Sequence, residues 1–70
     1  MGIASTRFEL QPRSDKEVED WVCVLVRALR RASTGWQLAI IQGEREILFE
    51  CSPALTNEQV GAAYREEDER

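Results

Sequence analysis

The chain contains no histidine. That absence excludes Ser-His-Asp and Cys-His nucleophilic sites, an imidazole general base, and every metal site built on imidazole ligands. Cysteine is nearly as scarce. Cys23 and Cys51 are the only two, too few for a four-thiolate zinc site or for the disulfide frameworks of small secreted domains. Such usage points to a reducing, cytoplasmic setting. No apolar run approaches the ~18 residues of a membrane helix, and no basic segment followed by an apolar one opens the chain as a secretory signal. The start, Met1-Gly2-Ile3-Ala4-Ser5-Thr6, fits the loose pattern for myristoylation at Gly2, but no polybasic stretch supplies the second signal that stable anchoring needs. Ordinary leader residues are the preferred reading, with no membrane partner.

What is present is a chain of 70 residues, 43% hydrophobic and 31% charged, the balance of one globular domain spanning residues 1–70 and too short for an interdomain cleft. A domain this small buries only about 60% of the surface its unfolded chain exposes, so it stands to gain from a partner. The net charge of -4 is unevenly spread: residues 1–35 hold six basic against five acidic groups, residues 36–70 three against eight. This asymmetry bears on partners and solubility rather than on fold.

Local patterning predicts the elements in turn. Thr6, Phe8 and Leu10 alternate with Arg7, Glu9 and Gln11, the period of a half-buried strand, over about residues 4–11, and Pro12 ends it. Ser14 and Glu17 form a capping box opening a helix over about 15–33. Its apolar stripe runs Val18, Trp21, Val22, Leu25, Ala28, Leu29 and Ala32, and Gly35 suits a left-handed cap beyond its end. Trp36, Leu38 and Ile40, then Ile47, Phe49 and Cys51, predict a hairpin over about 36–51. With Gly43-Glu44 as a two-residue type II′ turn, Ile40 falls opposite Ile47, Leu38 opposite Phe49 and Trp36 opposite Cys51. On the other face Ile41 meets Glu46, Ala39 meets Leu48 and Gln37 meets Glu50. Pro53 closes the strand. Thr56 and Gln59 form a second capping box, with Leu55 and Val60 as its hydrophobic staple, for a second helix over about 57–68. That helix has a thin stripe (Val60, Ala63, Tyr64) and an acidic end that opposes the helix dipole, so it should fray there.

The order βαββα, with a right-handed crossover, implies an α+β domain. Its three-stranded sheet has order 1-3-2, and the long helix is packed on one face against Phe8, Leu10, Trp36, Leu38, Ile40, Ile47 and Phe49. On the helix wheel Cys23 and Val24 fall on the polar side, among Asp20, Arg27 and Arg31, as a candidate contact for a partner or for the second helix. Cys51 points inward while Cys23 points away, which argues against a disulfide. Arg27 lies one turn from Cys23 and favours its thiolate, though no base or resolving cysteine is near. Arg27, Arg30 and Arg31 form a basic cluster at the helix end, where the dipole favours cations. Glu44, Glu46, Glu50 and Glu58 have no metal-loop spacing. Trp21 and Trp36 lie on core stripes.

The junction Thr34-Gly35-Trp36-Gln37-Leu38 resembles the Gly-Trp-Glu-Leu strand opening of several small βαββ bacterial families, and of HicA-type RNA-cleaving toxins, whose helix leads into such a strand. The toxin family depends on a histidine in its following strand; this chain has none, so no functional residue carries over.

No cofactor loop, metal set or catalytic constellation is recognisable, and the leading expectation is a non-enzymatic, cytoplasmic protein-binding module. It would act as an adaptor, regulator or inhibitor by occupying a partner's surface. The candidate contact residues are Cys23, Val24, Arg27 and Arg31 on the long helix and Glu66, Glu67, Asp68 and Glu69 at the acidic end. The open edges of the first two strands are candidates for strand addition, including to a second copy as a homodimer. One alternative makes the acidic end a phosphate mimic that inhibits nucleic-acid-handling machinery, as phage proteins do. Another is nucleic-acid binding through Arg27, Arg30 and Arg31, joined by Arg7 and Arg13; the overall acidity ranks it behind a protein partner.

Overall fold

Ser14 starts the largest element, and its hydroxyl accepts from the Glu17 N–H at 3.3 Å. The Glu17 carboxylate reaches back one residue further than a capping box requires, to the Arg13 N–H at 3.2 Å. In the computed structural model, which describes residues 5–68, helix α1 then spans Asp15–Ala32. It follows strand β1, Thr6–Leu10, and leads to β2, Gln37–Gln42, β3, Ile47–Ser52, and helix α2, Asn57–Asp68. The fold is α+β. The sheet is antiparallel throughout, with order β1-β3-β2.

α1 ends without a left-handed residue, contrary to the cap expected at Gly35. Ser33 is extended, its N–H donates to the Leu29 carbonyl at 3.0 Å, and its hydroxyl accepts from the Gly35 N–H at 3.1 Å. The backbone N–H of an extended residue thus closes the last turn, and the serine hydroxyl fixes the chain beyond it. α2 begins as the sequence indicates: the Thr56 N–H donates to the Gln59 side chain at 2.8 Å, and the Gln59 N–H donates to the Thr56 hydroxyl at 3.1 Å.

The hairpin register differs from the expected one by two residues. Ile40 pairs with Phe49, Leu38 with Cys51, Gln42 with Ile47, Ile41 with Leu48, Ala39 with Glu50 and Gln37 with Ser52. A shift of two keeps every side chain on its face, so the apolar alternation is satisfied equally by both registers. The turn and the outer face decide between them. The Gly43 N–H donates to the Glu46 carbonyl at 2.8 Å, leaving Glu44-Arg45 as the two loop residues, and no described glycine has positive φ. A Cβ at Gly43 would lie 2.9 Å from a Glu46 carboxylate oxygen and 3.1 Å from its carbonyl, so glycine serves here by allowing close approach. On the outer face the observed register moves Leu48 from Ala39 to the larger Ile41 and leaves Glu50 beside the small Ala39, so the two large apolar side chains meet. Across β1 and β3, Arg7 opposes Glu50 and its Nε donates to the Glu50 carboxylate at 2.8 Å.

The core is a single cluster of Val24, Leu25, Ala28, Leu29, Ile47, Phe49, Cys51, Leu55 and Ala63. β3 supplies its inward row, buried at alternate residues. α1 lies on that row, and α2 packs chiefly against α1. The start of α2 is tied to the β1 side, where the Leu55 N–H donates to the Thr6 hydroxyl at 2.9 Å. Tyr64 of α2 packs on Trp21 with ring centroids 5.4 Å apart. With α2 on the β1 side, the β2 side is covered only in part: Trp36 and Leu38 are half-buried against the core, and Ile40 is half exposed.

Candidate functional site

Two surfaces drew candidates from the sequence: the flank of α1 with the acidic end of α2, and the strand edges. On the first, α2 lies on what the helix wheel marked as the polar side of α1. Val24 is therefore 2% exposed and part of the core, which corrects its assignment as an exposed contact. Its alternative role, contact with the second helix, is the one it has. Cys23 is exposed and Cys51 buried, and both thiols are free; burial pushes the Cys51 thiol up.

The charged candidates on this flank pair with one another. Arg27 bridges Glu66 at 3.4 Å and Glu67 at 2.6 Å, and Arg31 reaches the same Glu66 carboxylate. The hydrogen bond from Arg31 is the main reason the Glu66 carboxyl is held below its ordinary range, with the Arg27 guanidinium adding to it. Cys23, Arg27, Arg31 and Glu67 line one open depression together with Val26 and Arg30. Asp68 closes α2 and is exposed. Glu69 and Gly2 lie outside the described residues.

The second surface is the sheet edge. β1 and β2 are both edge strands, but they differ in protection. β1 projects Arg7 and Glu9 from its outer face, and its end is tied by Thr6 to the segment before α2. Charge of this kind discourages another strand from pairing. β2 reads Gln-Leu-Ala-Ile-Ile-Gln, with no charged residue, proline or glycine, and five of its six residues are exposed. Ile40, expected in the core, is 50% exposed, and Ile41 on the opposite face is 54% exposed. Neither isoleucine was singled out as a contact residue. The usable signal was the absence of charge from Trp36 through Gly43 beside the Arg7 and Glu9 of β1.

The backbone of this edge follows from the turn. Because Gly43 and Glu46 are hydrogen-bonded, bonded pairs alternate along the ladder at Ile41–Leu48, Ala39–Glu50 and Gln37–Ser52. The N–H and C=O groups of Leu38, Ile40 and Gln42 therefore point outward, away from β3. β2 thus offers three residues' worth of unpaired backbone framed by half-exposed isoleucines on both faces.

Elsewhere, Phe8, Glu9, Leu10, Trp21, Leu25 and Phe49 line a recess of about 110 Å³ beneath β1, below the ~300 Å³ at which small-molecule pockets begin. No group of three or more metal-ligating side chains occurs among the described residues, and no helix there is long and apolar enough to cross a membrane. No protein-family model, curated protein or solved structure matches the chain.

Proposed function

We propose that this chain is a non-enzymatic protein-interaction module of the cytoplasm that engages its partner by strand addition at β2. The observation that carries the reading is the uncharged edge, with Ile40 and Ile41 half exposed on opposite faces. Edge strands of soluble domains are ordinarily blunted by charge, proline or a bulge, and an unblunted one is a template for pairing. Main-chain hydrogen bonds then supply affinity, and the side chains flanking the new strand supply selectivity. An added strand would be clamped between the two isoleucines. The free thiols, one of them exposed, support a reducing compartment.

The acidic end of α2 is the weaker surface for a phosphate mimic. Glu66 and Glu67 already face Arg27 and Arg31, so their charge is largely compensated. The same pairing occupies two of the three arginines of the basic cluster.

Quantitative capture from the native host separates these readings. Wild-type chain, Ile41→Lys, and a charge reversal of Glu66, Glu67 and Asp68 are each immobilised and compared after circular dichroism confirms folding. A protein retained by wild type and by the charge reversal, but lost with Ile41→Lys, supports strand addition. Loss with the charge reversal alone overturns it in favour of the acidic surface.

A further inference from the structure

We infer that the strand added at β2 is the β2 of a second copy, paired antiparallel about a twofold axis at Ile40. This rests on the strand-addition reading and names its occupant. A twofold axis perpendicular to a sheet preserves faces, so it requires a residue of the edge strand to oppose its own symmetry mate. The outward backbone groups belong to Leu38, Ile40 and Gln42, a set whose centre is Ile40. With the axis there, Ile40 pairs with its mate and Leu38 with Gln42 of the other copy, in both directions. Every outward N–H and C=O of the strand is then bonded. An axis at Ala39 also bonds Leu38 to Ile40 of the other copy, but it sets Gln42 opposite Trp36, outside the strand, so fewer of the outward groups are bonded within β2.

The side chains agree with that register. On the outer face Ile41 lies beside the small Ala39 of the other copy, twice, so a large residue meets a small one at each position. On the helix face the two Ile40 side chains meet at the axis. No charge enters the junction, since Gln37–Gln42 holds none. The resulting sheet has order β1-β3-β2-β2-β3-β1 and ends on both sides in the strand that carries Arg7 and Glu9. Pairing therefore stops at two copies, because the protected edges are all that remains outside. A strand from an unrelated protein would satisfy the backbone equally well but has no reason to match this centred pattern.

One six-residue strand per copy makes an interface at the small end of the size range, under about 1,200 Å², so the dimer should dissociate on dilution. Each copy carries a net charge of -4, and the repulsion between copies is screened by salt. The dimer should therefore tighten as salt is raised, the opposite of an interface held by ion pairs.

Sedimentation across a dilution series tests the state, and disulfide trapping in a Cys23→Ser background tests the register. Wild type is expected to show a monomer–dimer equilibrium. Ile40→Lys should weaken it at least tenfold by placing two ammonium groups together at the axis, whereas Glu9→Lys, on the other edge, should leave it unchanged. Ile40→Cys should oxidise to a covalent dimer, with the paired Cα atoms about 5.5 Å apart, while Ala39→Cys should not. A wild-type monomer at millimolar concentration overturns the second-copy inference; the strand-addition reading then stands if partner capture stays sensitive to Ile41→Lys. A dimer indifferent to Ile40→Lys, with no edge-sensitive partner, overturns both. Efficient trapping through Ala39→Cys in place of Ile40→Cys overturns the register.

Discussion

Replacing Val24 with alanine removes two methyl groups from a side chain that is 2% exposed and sits between α1 and α2. The transfer free energy lost is about 1.6 kcal/mol at ~0.8 kcal/mol per methylene-sized group. A residual void of roughly 30 Å³ adds about 0.7 kcal/mol at ~24 cal/mol per Å³. The expected destabilisation is therefore about 2 kcal/mol. Stability per residue typically runs at ~0.05–0.15 kcal/mol, so a chain of this length has roughly 4–10 kcal/mol in all, and this single change removes a large fraction. The melting temperature should fall by about 8–16 °C, at ~4–8 °C per kcal/mol for a domain of this size. Urea unfolding followed by tryptophan fluorescence reads both the midpoint and the slope. The neighbouring Cys23→Ala, at an exposed position, serves as the control and should stay within about 0.5 kcal/mol of wild type. If Val24→Ala also stays within that margin at an unchanged slope, α2 does not seal this flank of α1, and the placement of the second helix is wrong.

Three further outcomes follow from the α1–α2 contact and the thiols. A double-mutant cycle on Arg27 and Glu67, whose side chains are 31% and 23% exposed, should give a coupling of about 0.5–1 kcal/mol that shrinks at high salt; zero coupling at low salt refutes the pairing. Because the Glu66 carboxyl is held below its ordinary range, chiefly by the Arg31 hydrogen bond, the folded state favours the ionised form. Its stabilising contribution is complete above the unfolded value of ~4.3 and is lost as pH falls through the lower folded value. Wild type should therefore exceed Glu66→Gln in stability near pH 7, with the difference shrinking as the pH is lowered into the acid range; parallel curves contradict this. Ellman's reagent should titrate one thiol quickly in the native protein, Cys23, and the second only on unfolding, since Cys51 is fully buried; two fast thiols contradict the core assignment.

Much of this architecture is legible in the residues, because local chemistry and long-range packing agree. Ser14, Thr56 and Gln59 mark the helix starts whatever lies around them, and the alternation in β1 and β3 marks their buried rows. The chain order then leads to the observed strand order. The hairpin register was not legible, since faces are conserved under a shift of two and the decision lay in the Gly43–Glu46 bond. Val24 was misplaced for a different reason. A helix wheel finds one stripe, whereas α1 is covered on two sides, and the short apolar stripe of α2 gave little sign of where it would dock. The ion pairs from Arg27 to Glu66 and Glu67 span about forty residues of sequence and depend on that docking. The half-exposed Ile40 follows from it as well, because α2 lies on the β1 side and does not cover it.

β3 is the last strand to be synthesised, yet it is the only one that bonds to both others. Thr6–Leu10 has no neighbour until residues 47–51 exist, and β2 has none until the turn at Glu44-Arg45 has been made. A nascent chain halted before Ile47 can form α1 and nothing for it to rest on, so Leu25, Leu29 and Val24 stay wet. The sheet therefore cannot start to form until β3 is present, and its three strands join nearly together. Prematurely terminated products are natural substrates for chaperones and proteases.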